Sequence, residues 1–229
     1  MLALGVIGIF LFAGGLIYTF THKQRTPIPP RTLAEIAKAE QGDVTAQYGL
    51  ALSYEGGFEG LANDQAKAMK WFHEAAAQNH AKAQFRLAEC YEQGIGVAKN
   101  SVESVKWLRK AAERDYAKAQ AKLGFCYQNG QGVGTNDVEA AKWWRKAAEQ
   151  NDISGQFCVA GCYAYGRGLA KDYVEAYAWY GLFSNRVSGA ASIMGPLAAK
   201  MSPQQLAEAE KRTQELRLEI EVKTKASHQ

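Results

Sequence analysis

From residue 46 onward the chain repeats itself four times, and this periodicity restricts its architecture more than any single residue does. The units open AQYGLALSY at Ala46, AQFRLAECY at Ala83, AQAKLGFCY at Ala119 and GQFCVAGCY at Gly155, at spacings of 37, 36 and 36 residues. A fixed period of this size describes stacked units, each burying its apolar face only against its neighbours. Such stacks serve as extended binding surfaces more often than as frames for a deep active site, so the repeat turns the question of function towards recognition.

Within a unit the chemistry is that of two helices joined by a glycine turn. In the unit that begins at Ala83, a first helix is expected from Ala81 to Gln93 and a second from Ser101 to Glu113. Gln84, Leu87, Ala88 and Tyr91 share one face by their three–four spacing, as do Gln47/Leu50/Ala51/Tyr54, Gln120/Leu123/Gly124/Tyr127 and Gln156/Val159/Ala160/Tyr163. The turns carry Gly56-Gly57, Gly94/Gly96, Gly130/Gly132 and Gly166/Gly168, which supply the positive φ needed to end a helix and reverse the chain. These glycines follow a helix rather than a strand, which argues against a phosphate-binding loop. Asp64, Asn100, Asn136 and Asp172 stand where each second helix should be capped. Trp71, Trp107, Trp143 and Trp179 come seven residues later, and Ala75-Ala76, Ala111-Ala112 and Ala147-Ala148 follow in three units. They read as packing residues rather than a cofactor cage.

These residues resemble the Sel-one-like repeat, a cousin of the tetratricopeptide repeat with a longer helix–helix connection. The third unit carries the resemblance best, through Ala119, Leu123, Gly124, Tyr127, Gly130, Gly132, Val133, Asn136, Ala140, Trp143, Lys146, Ala147, Ala148 and Glu149. The first unit has one extra turn residue (GGFEGLAND), and Gly181 and Leu182 replace the basic pair after the tryptophan in the fourth, as in a terminal capping unit. The resemblance implies an all-α, right-handed α/α superhelix over residues 33–185, with TLAEIAKAEQGD as the second helix of a partial unit. After a connection at 186–201, a helix is expected at 202–222, capped by Ser202 and Gln205 with Pro203 at its first position, and then a flexible tail at 223–229. Its stripe of Leu206, Ala209, Thr213, Leu216 and Ile220 is too short for a free coiled coil and should pack on the last repeat or on a partner.

The N-terminus is of another kind. Leu2 to Phe20 holds no charged residue and, as a helix rising ~1.5 Å per residue, matches the hydrocarbon thickness of a bilayer. It reads as a membrane anchor over 1–21 with a linker at 22–32; the competing reading is a cleaved signal peptide, against which the missing basic n-region speaks. His22, Lys23, Arg25 and Arg31 follow the apolar segment, which by the positive-inside rule makes a single-pass inner-membrane protein with cytoplasmic repeats; a periplasmic or secreted location is the alternative. Cys90, Cys126 and Cys162 recur one unit apart, near ~10 Å, too far for disulfides. Cys158 and Cys162 are one helical turn apart, a poor geometry for bonding each other, so four free thiols fit a reducing compartment.

Composition excludes some functions and suggests others. The net charge of +4 comes from lysines and arginines that alternate with glutamates, not from the concentrated basic face nucleic acid would require. His22, His73, His80 and His228 are scattered and offer no metal-ligand spacing. No Gly-x-Ser-x-Gly or Ser-x-x-Lys occurs, and Cys158 has no histidine nearby in sequence, so the chain reads as non-enzymatic, without cofactor or metal; a cell-wall or β-lactam hydrolase is the competing class. The expected function is a membrane-tethered scaffold that binds a protein or peptide. Its site is placed on the first helices opposite the Leu/Tyr stripe, at Arg86, Glu89, Gln93, Lys122, Phe125, Asn129 and Tyr165, with Cys158 and Gly161 in the same positions. Phe125 and Tyr165 are the expected anchors. The stripe Lys106, Arg109, Lys110, Lys142, Arg145 and Lys146 on the second helices reads as a solvated, ion-paired face.

Overall fold

The computed structural model describes residues 27–184, 186 and 191–226. Eleven helices and no strands occur among them: α1 (Pro30–Glu40), α2 (Val44–Gly56), α3 (Gln65–Ala77), α4 (Ala81–Gln93), α5 (Ser101–Glu113), α6 (Ala117–Asn129), α7 (Asp137–Glu149), α8 (Ile153–Tyr165), α9 (Tyr173–Ser184), α10 (Ala191–Ala198) and α11 (Pro203–Ala226). Each helix packs on the next in the chain, from α1 through α9, so the core is a continuous seam rather than a central ball. α2, α4, α6 and α8 form one layer, and α3, α5, α7 and α9 the other. The expected anchor at 1–21 lies outside the described residues; among those described, no helix is long and apolar enough to cross a membrane.

The units close on themselves by the same bonds each time. Asp64, Asn100 and Asn136 accept from the backbone N–H three residues on, at 3.0, 3.0 and 3.1 Å, and Asp172 from those of Val174 and Glu175, so all four caps form where the residue types place them. The backbone N–H of the same capping residue reaches back to the tyrosine that ends the first-helix stripe: Asp64 to Tyr54, Asn100 to Tyr91, Asn136 to Tyr127 and Asp172 to Tyr163. The cap therefore fixes both the start of the second helix and the width of the hairpin.

Two contacts hold one unit on the next. The second turn glycine lies against the first residue of the preceding second helix: a Cβ on Gly132 would sit 2.1 Å from the Ser101 carbonyl oxygen, and one on Gly168 2.0 Å from that of Asp137. Both glycines have positive φ, 69° and 68°, so no other residue fits the conformation or the space. Second, a buried glutamine reaches across three of the four junctions, while at the last Gln156 donates instead to Asn151 Oδ1 at 3.1 Å. Gln47, Gln84 and Gln120 donate Nε2 to the carbonyls of Ala39, Ala76 and Ala112, at 3.1, 3.1 and 3.0 Å. These are C-terminal carbonyls of the preceding helix, each of which also accepts a backbone N–H from the turn that follows, of Gly42, Asn79 and Asp115. Between these contacts the Ala75-Ala76, Ala111-Ala112 and Ala147-Ala148 pairs are almost fully enclosed.

The tryptophans grade from edge to core. Trp179 and Trp143 are buried, whereas Trp71 and Trp107 are only half-buried, less than a core reading predicts. The basic stripe packs over these rings whether they are buried or not. Lys110 places its ammonium 4.0 Å from the Trp107 ring centre and Lys146 lies 4.7 Å from that of Trp143, so these lysines serve as lids. Arg109 donates to the Tyr127 hydroxyl at 2.8 Å. Lys106 and Lys142 do form the expected i,i+3 pairs, with Glu103 and Glu139. The stripe is thus solvated at some positions and packing at others.

The ends also differ from the sequence reading. α1 begins at Pro30, inside the stretch assigned to a linker, because Thr32 is buried and donates to the Glu59 carbonyl. By the glutamine register, Arg31, Glu35 and Lys38 of α1 occupy the positions of Ala68, Phe72 and Ala75 in α3, so α1 turns a polar side outward where later units bury apolar groups. α10 forms within the expected connection. At the other end it is α11, not the fourth unit, that caps. It packs on α9, and Thr213 sits where a Cβ on Gly181 would meet it at 3.0 Å, which is why the basic residues are missing there. Arg212 pairs with Glu175 at 2.7 Å. The Ser202–Gln205 capping box forms in both directions. α11 continues to Ala226 instead of ending at residue 222, since Ile220 is buried and Lys223 pairs with Glu149 at 2.8 Å.

Two outcomes are expected. Gly132→Ala should lower stability by about 2 kcal/mol or more, from strained φ and a carbonyl clash, whereas Gly134→Ala, with open space around it, should stay within about 0.5 kcal/mol; paired urea melts check this. His80 caps α4 by accepting from the Ala83 N–H at 3.2 Å, which requires its neutral form, and burial, with Lys82, holds its pKa below the ordinary value. The folded state then binds fewer protons than the unfolded one. Its contribution is complete above the unfolded pKa near ~6.5 and is lost as pH falls through the lowered folded value. His80→Asn keeps a cap that cannot titrate, so its melting temperature should fall less than wild type between about pH 7.5 and 5.5.

Candidate functional site

The exposed side of the first-helix layer changes character along the stack. At the α2–α4–α6 end it is a ladder of charges. Arg86 binds Glu55 of α2 at 2.6 Å and Glu89 of its own helix at 2.6 Å. Lys122 of α6 lies 2.6 Å from Glu92 and 3.9 Å from Glu89. Burial works against the Arg86 charge, but the hydrogen bonds to both carboxylates outweigh it and raise its pKa. The ladder crosses three helices and fixes their lateral spacing.

At the α6–α8 end the same side opens into an aromatic cleft of about 320 Å³. Phe125 of α6 packs edge-on against Trp144 of α7, with ring centres 5.3 Å apart, and Phe157 of α8 against Tyr180 of α9 at 5.7 Å. Phe125 and Phe157 are each more than a third exposed and Tyr165 is 72% exposed, so this apolar surface is offered to a ligand. Two glycines make the room. A Cβ on Gly124 would lie 2.5 Å from the Trp144 indole nitrogen, so Trp144 slides over α6 and donates to the Ala121 carbonyl at 3.1 Å. Gly161 leaves the Tyr180 hydroxyl facing the cleft, 3.6 Å from where a Cβ would be. Arg167 stacks on the Tyr165 ring at 6.0 Å from the centre, and Ile193 of α10 lies at the far side.

The structure therefore divides the expected site residues into three groups. Arg86, Glu89 and Lys122 meet in the ladder. Phe125 and Tyr165, with Cys158 and Gly161, line the cleft. Gln93 and Asn129 are exposed at the ends of α4 and α6 and do not line it. Trp144, Phe157, Tyr180 and Arg167 were not singled out from sequence. The signal for Trp144 is the doubled tryptophan in KWWRK, facing the one unit with glycine at position 124.

Covalent chemistry at the cleft is disfavoured. Burial pushes the Cys158 thiol up to about 12, and Cys90, Cys126 and Cys162 up to about 11, so none is a thiolate at neutral pH. All four are free, and the described residues contain no cluster of three metal-ligating side chains. Native protein should therefore react slowly with a thiol reagent at pH 7.5, and all four thiols should titrate promptly in urea; a fast native Cys158 would restore the nucleophile reading.

Comparison with known proteins supplies the context. The sequence profile described as Sel1 repeat matches residues 44–80, 81–116, 117–152 and 154–186. A solved structure described as a protective antigen present in uropathogenic Escherichia coli strains, displaying an SLR fold, is 32% identical with a TM-score of 0.73. That match covers 86% of this chain but only 42% of the antigen, so the chain spans less than half of its length. A Sel1 repeat protein from Oxalobacter formigenes is 33% identical with a TM-score of 0.64, covering 78% of this chain and 75% of that one. No curated protein matches the chain.

Proposed function

This chain belongs to the Sel1 repeat family, whose members are protein-interaction scaffolds, and we propose that it is a membrane-tethered adaptor that captures an extended polypeptide along the first-helix side. The aromatic cleft carries the reading. Phe125, Phe157 and Tyr165 are exposed together although Trp144 and Tyr180, directly behind them, are buried. Large apolar groups left in contact with water beside charged residues are the typical anchors of an interface. The ladder of Arg86, Glu89 and Lys122 continues the same side and gives the partner a polar track. The tether in this reading is the apolar stretch Leu2–Phe20, and the basic residues after it favour the cytoplasmic side for the repeats.

A second reading, an exported repeat protein with an envelope or host-interaction role, draws on one observation, the likeness to a protective antigen. The two readings separate by compartment rather than by surface.

The test uses the full chain in intact membranes of its host, with a photoreactive amino acid in place of Tyr165 or of Lys106. Position 165 should yield a discrete polypeptide adduct and position 106 none, and Phe125→Ala should weaken capture about 30-fold, the equivalent of ~2 kcal/mol for an anchor. The chain should remain in the pellet after carbonate extraction. Adducts only at 106 would move the site to the second-helix layer, and carbonate release would remove the tether.

A further inference from the structure

We infer that the cleft receives the side chain of a tyrosine, carried by an extended peptide with an acidic residue beside it. This rests on the adaptor reading and names the chemistry of its partner. The volume of about 320 Å³ is at the small end of ligand sites and suits one large side chain. The walls favour a ring over an aliphatic group. Phe125 and Phe157 both present exposed rings to the cleft, each already in an edge-to-face pair that a third ring extends. The Cys158 and Cys162 sulfurs also line the cleft, and sulfur packs well at the edge of an aromatic ring.

The polar groups select the kind of ring. Tyr180 is 5% exposed, yet its hydroxyl makes no hydrogen bond with any described residue and faces the cleft over Gly161. The hydroxyl opens on the cleft and is not sealed from solvent, so a ligand phenol would bond to it in place of water. At the rim, the Arg167 guanidinium forms no ion pair among the described residues and lies on the open face of Tyr165. Asp137 also lines the cleft, but as the first residue of α7 its charge sits at the positive end of that helix. Arg167 is therefore the charge at this rim still open to a partner, and it complements a carboxylate adjoining the bound ring. In the second and third units the residue between the two turn glycines is Ile95 or Gln131, and the first unit's longer turn, GGFEG, carries no cation, so this charge belongs to the cleft alone.

The experiment titrates the whole chain, in detergent, with the end-capped tetrapeptide Gly-Tyr-Glu-Gly, following the Trp144 indole N–H by NMR. Binding on the order of millimolar is expected for so small a probe. Replacing its tyrosine by phenylalanine should weaken binding about fivefold on wild type and not on Tyr180→Phe, which removes only the hydroxyl. Replacing its glutamate by glutamine should weaken binding about threefold on wild type and not on Arg167→Gln. A leucine analogue that binds as well as the tyrosine probe, discrimination that survives in the two variants, or shifts confined to other tryptophans would each overturn the inference. A polypeptide adduct at position 165 together with a failed titration leaves the adaptor reading standing and removes this one; loss of both removes both.

Discussion

The structure depends on one close approach, repeated down the stack. A turn glycine of one unit rests on the opening residue of the preceding second helix, with no room for a β-carbon, while a buried glutamine binds the preceding helix's last carbonyls. These two contacts fix spacing and rotation together. The glutamine gives a second donor to a carbonyl that already accepts from the turn backbone, and its own buried amide is satisfied across the junction although it faces no ligand. The distance from glycine to contact is the same in successive units, from 96 to 65, 132 to 101 and 168 to 137, so an inserted residue is tolerated only where the first unit has it, in the turn ahead of that contact.

Because these contacts lie at the junctions, the outer positions of the first helices are free to vary. Leu52, Glu89, Phe125 and Gly161 occupy one equivalent position in successive units and share no chemistry. Charge accumulates where α4 meets α2 and α6, and aromatic surface where α6 meets α8. The change is made by small residues. Gly124 admits Trp144, which supports Phe125, and Gly155 replaces the alanine of the other units, bringing α8 close to the backbone of Ala148. A regular frame thus carries an irregular surface without cost to its register.

Most of the frame was legible in the sequence because it is built from local rules. The bounds of α4 and α5, the four N-caps and the capping box on α11 all follow from residue types at fixed offsets. The cleft was legible only by half. Phe125 and Tyr165 stand out as apolar residues on a polar face, but Trp144 and Tyr180 belong to the other layer, and their reach depends on which neighbour is glycine. The glutamines were visible as a period without a role, since their acceptors lie eight residues upstream on another helix. The end of α11 was missed for a similar reason: Lys223 finds Glu149 across 74 residues of chain.

The ends decide which surface remains for binding. A solenoid presents two terminal faces that would otherwise pair edge to edge with other chains. Here α1 turns Arg31, Glu35 and Lys38 outward at positions where internal helices bury Ala68, Phe72 and Ala75, and α11 covers α9 with Ala209, Thr213, Leu216 and Ile220. Stacking further units on either face would bury Arg31 and the Glu35–Lys38 ion pair at one end or displace a packed helix at the other. What stays open is the lateral surface of the first helices, and on it the aromatic cleft lies beside the covered end. α11 and α10 both brace α9, the helix that carries Tyr180, so the terminal helices hold the back of the cleft as well as closing the stack.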